Sequence, residues 1–293
     1  MTRLPMAANV SGAILVVVAV AAACAPWLAP YEPSDIVSRS LAAPSADHLL
    51  GTDRLGRDLL SRVLHGARLS LGGAALALAC IVALGLTLGS IAGFYGRSLD
   101  TVIMRVVDAV LAIPTLVLAM AIAGLFPAGL LTVVAALTAV WWARYARVTR
   151  ALVLSWRERQ FVEAARALGA GDLHIMVRHV LPHILAPIFA LSALEFGTLI
   201  LGVSGLSFLG LGAQPPSPEW GTMINDAKSV FLVAPHALLA PALAITVVVL
   251  AFNVAGEHLG QSLGPYRSLL VPDIAAANAA FRGGGQGRDR RVA

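Results

Sequence analysis

Two carboxylates, Asp108 and Glu195, stand inside long apolar runs of this 293-residue chain. A carboxylate held in a bilayer is costly, so each is a candidate for a pathway or another intramembrane polar role. Arg105 lies three positions before Asp108, one helical turn away, which offers a local ion pair. Glu195 sits between Leu194 and Phe196 with no such neighbour, so it must face an interior or pair with another helix. Neither carboxylate has a visible mate for acid–base chemistry, and no nucleophile stands beside a base. His174, His179 and His183 cluster elsewhere, but their spacing matches no chelate and no Cys is near, so no metal site is expected. The one lysine, Lys228, is followed by Ser229-Val230-Phe231 and lacks the glycines of a phosphate-binding Gly-x-x-x-x-Gly-Lys-[Ser/Thr] loop. Catalysis and ATP hydrolysis by this chain are therefore not expected.

The elements that position these residues are membrane helices. Of the residues, 58% are hydrophobic and 13% charged, against roughly 45–50% and about 25% in soluble domains. Six segments approach the ~20 apolar residues that span a bilayer, at about 11–30, 69–93, 102–126, 129–146, 184–203 and 236–256. The first resembles a signal peptide from Ala13 to Ala25, but its continuation through Pro30 and the single preceding Arg3 favour an uncleaved helix. With both termini cytoplasmic, the inner segments carry 15 Arg and the outer ones five Arg and one Lys, the asymmetry expected of an inside-positive topology. The expected fold is thus all-α and membrane-embedded, with six transmembrane helices and both termini cytoplasmic. Its parts are an N-terminal segment and first helix (1–30), an outer loop (31–68), a five-helix core (69–260) and a cytoplasmic tail (261–293). Beyond Pro265 the tail has a composition that cannot bury a core. The net charge of +5 is not gathered on a soluble module, so nucleic acid is not an expected partner. Cys24 and Cys80 sit in apolar runs and read as packing residues.

The inner segment 157–182 is the most informative. The run from Glu158 reads as a short Ala-rich helix ended by Gly169, and a second turn or helix continues to Leu181-Pro182. Its alanines make a flat face and Phe161 and Leu168 supply apolar anchors, a surface suited to a groove on another protein.

Glu163-Ala164-Ala165, then Gly169 and Leu181-Pro182, resembles the "EAA" loop of binding-protein-dependent ABC importer permeases, with His179 where the pattern often has Ile. Leu50-Gly51-Thr52-Asp53-Arg54-Leu55-Gly56-Arg57-Asp58 resembles the outer-loop signature of the dipeptide, oligopeptide and nickel permeases. Met104-Arg105 with Asp108 and Ala112-Ile113-Pro114, Ser207 to Gly212, Trp220-Gly221 with Asn225-Asp226, and Ala251-Phe252-Asn253 extend the likeness over residues 12–265, in the order of the "C"-type subunit. The resemblance implies a type I importer permease of the bacterial inner membrane. It implies as partners a second permease subunit, two cytoplasmic ABC ATPases and an outer substrate-binding protein, with ATP and Mg held by the ATPases and no cofactor bound by this chain. In that family the loop 157–182 would be the coupling helix. Short peptides are the expected cargo, and nickel or a nickel chelate is the alternative. A secondary transporter is the alternative of another class, but it would need internal repeats that are not found here.

Overall fold

A computed structural model describes residues 4–262. The expected unstructured tail beyond Pro265 lies outside the described residues. Every named element is a helix: α1 (Leu4–Ala23), α2 (Ala25–Leu28), α3 (Leu59–Tyr95), α4 (Arg97–Leu111), α5 (Thr115–Ala123), α6 (Leu130–Arg157), α7 (Gln160–Ala167) and α8 (Asp172–His174) come first. A π-helical turn, Ile175–Val180, leads into α9 (Leu181–Phe208), and then follow α10 (Trp220–Ala227), a 3-10 turn (Lys228–Val230) and α11 (Pro235–Ser262).

Among the described residues, three helices are long and apolar enough to cross a membrane: Leu59–Tyr95, the continuous run Asp172–Phe208, and Pro235–Leu259. The pair α4 and α5 makes a fourth if taken as one span, and it bends by 90°. The span expected over 102–126 therefore carries an elbow. Pro114 causes it, because proline fixes φ, lacks an N–H and drives the preceding residue out of the helical region. Pro187 and Pro241, by contrast, are carried inside α9 and α11. The first expected span, 11–30, is interrupted at Cys24, and its apolar helical part is Asn9–Ala23. The second half of α6 carries Arg144, Arg147, Arg150 and Arg157, which lowers its hydropathy below that of the other long helices.

The most extensive helix packing is between α3 and α6. Gly85, Gly89 and Gly93 recur every four residues along α3, and a methyl group at each would strike Tyr145, Ala146 and Arg150 of α6 respectively. Such small-residue stripes let backbones approach in a bilayer, where no hydrophobic force separates helix from lipid. Ile81, Leu137, Tyr145, Ile184, Leu199 and Ile200 fill the core around this seam and are fully buried. Val102, Val106, Leu131, Phe189, Leu243 and Leu250 are exposed, an apolar outer surface that suits lipid or further helices.

Helix α3 begins at Leu59, ten residues before the apolar run that announces it. Asp58 is the reason. Its carboxylate accepts from the Ser61 N–H and the Ser61 hydroxyl, both at 2.8 Å, which satisfies a donor of the first turn. The loop expected over 31–68 thus ends at Asp58, and Arg62 and Arg68 are helical residues.

Candidate functional site

The loop between α6 and α9 forms from local rules. Helix α7 ends in a paired turn in which Ala170 N–H donates to Ala165 O and Gly169 N–H to Arg166 O, both at 3.0 Å. This closure needs a left-handed residue after the helix, and Gly169 supplies it at φ +86°. Glu163, Ala164, Ala167 and Leu168 all face outward, Leu168 at 89% exposure, so a flat face with one apolar knob stands free. Ala165 is half-buried.

Two expectations about this segment change. Phe161 stays exposed but is not free on every side: its ring lies 5.5 Å from that of His183, which stacks on Trp156 at 4.3 Å and 8°. Val162, completely buried, pins the same turn. The second expectation was a turn or helix stopping at Pro182. Instead the π-helical turn runs into α9 without a break, and Leu181 and Pro182 occupy its first turn, where a missing N–H is tolerated. The outward helix α7 is therefore joined, through Phe161, His183 and Trp156, to the base of α9 and the end of α6. The three histidines are accounted for by ring contacts, with His174 and His179 5.7 Å apart, and no group of three metal-binding side chains occurs among the described residues.

The two carboxylates of the apolar runs pair across helices. Asp108 does not bond Arg105; Arg147 of α6 meets it at 2.5 Å. Glu195, 6% exposed, is met by Arg144, whose side chain is 53% exposed. Arg150 binds both oxygens of Asp100. Arg157 donates to the Gly93 and Phe94 carbonyls at the end of α3, at 2.8 and 3.2 Å. Helix α6 is thus an arginine ladder that holds α4, α9 and α3. Arg144 was not singled out from sequence, because its acid lies about fifty positions away on another helix.

At the opposite end, the Leu50–Asp58 signature makes a compact ion-paired loop. Asp53 accepts from Arg57 Nε at 2.6 Å and from the Leu55 and Arg57 N–H groups, and Arg62 Nε lies 3.4 Å away. Arg57 also approaches Asp226 at 3.9 Å. Buried Thr52 donates to Arg39 O and accepts from Ala42 N–H, and His48 Nδ1 lies 3.0 Å from Asp58. Gly51 and Gly56 take φ +76° and +81°, where an L side chain is strained. Glu219, another residue without a role in the sequence reading, is fully buried at the start of α10. Its carboxylate accepts from Ser70 of α3, Ser204 of α9 and the Thr222 N–H at 2.8, 3.2 and 2.9 Å, which clamps α10 between those helices. An acid before Trp-Gly at a helix start is the signal that could have found it.

Residues 85–265, which hold the whole exposed loop and the arginine ladder, match the model of the family described as binding-protein-dependent transport system inner membrane component. The chain belongs to this family. It is 40% identical over 255 residues to the nickel transport system permease protein NikC of Escherichia coli (strain K12), covering 86% of this chain and 92% of that one. It is 43% identical over 250 residues to the di/tripeptide transport system permease protein DppC of Pseudomonas aeruginosa (strain UCBPP-PA14), covering 82% of each chain. The glutathione transport system permease protein GsiD of Pectobacterium atrosepticum is 40% identical over 243 residues, covering 82% and 81%. These relatives are transport permeases, and the chain is an ABC importer permease of the peptide and nickel group, a multi-pass protein of the inner membrane.

Proposed function

We propose that this permease forms half of a translocation pathway for short peptides, driven by ATP hydrolysed with Mg on two partner ATPases. A second, different permease subunit supplies the other half, and an outer substrate-binding protein delivers the cargo. Six spans with both termini cytoplasmic fit the helices if α1, α3, the α4–α5 elbow, α6, the run 172–208 and α11 each cross once. The arginine asymmetry supports that orientation, and it places residues 157–182 inside and the Leu50–Asp58 loop outside. The division into 1–30, 31–68, 69–260 and 261–293 follows, with the loop boundary moved to Asp58.

The observation that carries the coupling role is the exposed face of α7, with Glu163, Ala164, Ala167 and Leu168 outward and Phe161 locked to His183 at the base of α9. Push on that face moves α9, on which Glu195 sits. A ligand shifts a conformational equilibrium only through its different affinity for the two states, and ATP would do so by closing the ATPases beneath this helix. To test it, Leu168→Cys is cross-linked in the assembled transporter against cysteines in the ATPase groove. A cross-link whose yield changes with ATP supports the role, and none at any nucleotide state removes it.

Nickel or a nickel chelate is the second reading of the cargo, favoured by the 92% coverage of the nickel permease. Uptake of labelled dipeptide and of labelled nickel, with and without this gene, separates the two.

A further inference from the structure

Helix α1 leaves a cleft of about 400 Å³ against α3, α9 and α11, within the roughly 300–1,000 Å³ of ligand-sized cavities. Its lining is apolar except for one side chain, Arg68. Tyr31 N–H donates to Ser61 Oγ at 3.1 Å, so the end of α1 lies beside the start of α3. At a rise of about 1.5 Å per residue, Arg68 to Ala75 on α3 and Ala23 to Leu15 on α1 each cover roughly 10–12 Å. The cleft therefore runs inward from the outer end by most of one leaflet of a hydrocarbon core about 30 Å thick. Ala75 and Phe252 lie nearly equally far along their helices from Leu59 and Ala237, which line one cavity at the outer end. Phe252 and Phe196, with ring centroids 4.4 Å apart, thus close the deep end.

This shape sets what can fill it. Water needs two to four polar partners, which the cleft below Arg68 does not offer. Left empty, its walls would lose their dispersion contacts. Ala19, Gly72 and Ala75 are exposed, so the cleft opens sideways to the surrounding medium. Arg68 stands directly before the apolar run that starts at Leu69, is exposed, and forms no ion pair among the described residues. A long cationic side chain at that depth carries its guanidinium to the headgroup level.

We propose that the cleft holds an acyl chain of an anionic phospholipid, with the lipid phosphate on Arg68. This goes beyond the permease reading and borrows only the orientation given there. A second cleft beside α1, of about 270 Å³, shares Val18 and Ala67 with the first, and no cation lines it. It provides an internal comparison: lipid chains should enter both, and only the first should select the headgroup.

The test places the assembled transporter in phosphatidylcholine nanodiscs with a phosphatidylglycerol or a phosphatidylethanolamine probe, each carrying a diazirine in one acyl chain. After photolysis, labelled residues are read by mass spectrometry. At Leu15, Ala19 and Ala75 the phosphatidylglycerol probe is expected to label about fivefold more, the bias one arginine gives an anionic headgroup. At Leu243 and Val247, in the second cleft, the two probes should label equally. Arg68→Gln should equalise the first cleft, and Arg68→Lys should keep the bias. Gly72→Leu grows into open space and should suppress labelling there by both probes. Equal labelling of the first cleft with Arg68 present, labelling unchanged by Gly72→Leu, or no labelling because the second permease subunit covers the cleft would each overturn the proposal. ATP-driven uptake by the same preparation in proteoliposomes is measured alongside. Its absence counts against the permease reading, whereas uptake without biased labelling counts against the lipid site alone.

Discussion

Glu195, buried midway along α9, is neutralised by Arg144 of α6, so an acid that looked solitary in the sequence is half of an interhelical pair. The pair joins the helix that continues from the exposed loop to the helix that carries the arginine ladder. Glu195→Gln leaves shape and hydrogen-bonding capacity but deletes the charge. We expect assembly to persist and uptake to fall about tenfold, equivalent to roughly 1.4 kcal/mol. Arg144→Gln alone leaves the buried Glu195 carboxylate without its cation and should lose more uptake than the double variant with Glu195→Gln. Wild-type uptake in Glu195→Gln would remove the residue from the transport cycle.

Asp53 is shared by Arg57 and Arg62, which are both buried. Asp53→Ala leaves two guanidinium groups without their acid and should destabilise the outer end by about 3–5 kcal/mol. Thermal unfolding of the purified permease in detergent measures this directly. A melting temperature within a degree of the parent would contradict the reading of this loop as ion-pair-held.

Gly169→Ala places a side chain at φ +86°, a cost of roughly 1–2 kcal/mol, on the turn that closes α7. Gly171→Ala, at φ −72°, carries no such cost and serves as the control. Uptake per ATP hydrolysed should drop in the first and hold in the second. Equal ratios in both would mean that the turn geometry does not matter to coupling.

Much of this was readable in the residue order, because it depends on local rules. Gly169 after an Ala-rich segment announces a helix stop, and Asp53 to Arg62 announces ion pairs in a short loop. The elbow was only half legible: Pro114 marks it, but nothing in the sequence separates it from Pro187 and Pro241, which neighbouring packing keeps helical. The partner of Asp108 was misassigned because spacing favours Arg105. In that pair the cation precedes the acid, the weaker order on a helix, and Arg147 reaches across from α6 instead. Glu219 and Arg144 depend on contacts about 149 and about 50 positions apart, which no local pattern encodes.

Helix packing gives a further test. Gly89→Val inserts bulk where even one methyl meets Ala146 and Thr149 of α6, whereas Gly72→Val enters open space. The first should abolish insertion-competent protein, because close backbone approach is what holds α3 to α6. The second should express at the parental level, as judged by membrane-fraction immunoblotting. Equal expression of the two would contradict the packing described for α3 and α6.

This chain is expected to move cargo only when partner ATPases act on its exposed loop. The direct measurement is uptake of labelled dipeptide into proteoliposomes holding the permease pair, the binding protein and the ATPases, with ATP present, ATP absent, and an ATPase subunit disabled in its phosphate loop. Uptake is expected only in the first condition. Uptake that persists without ATP, or with the disabled ATPase, would contradict it.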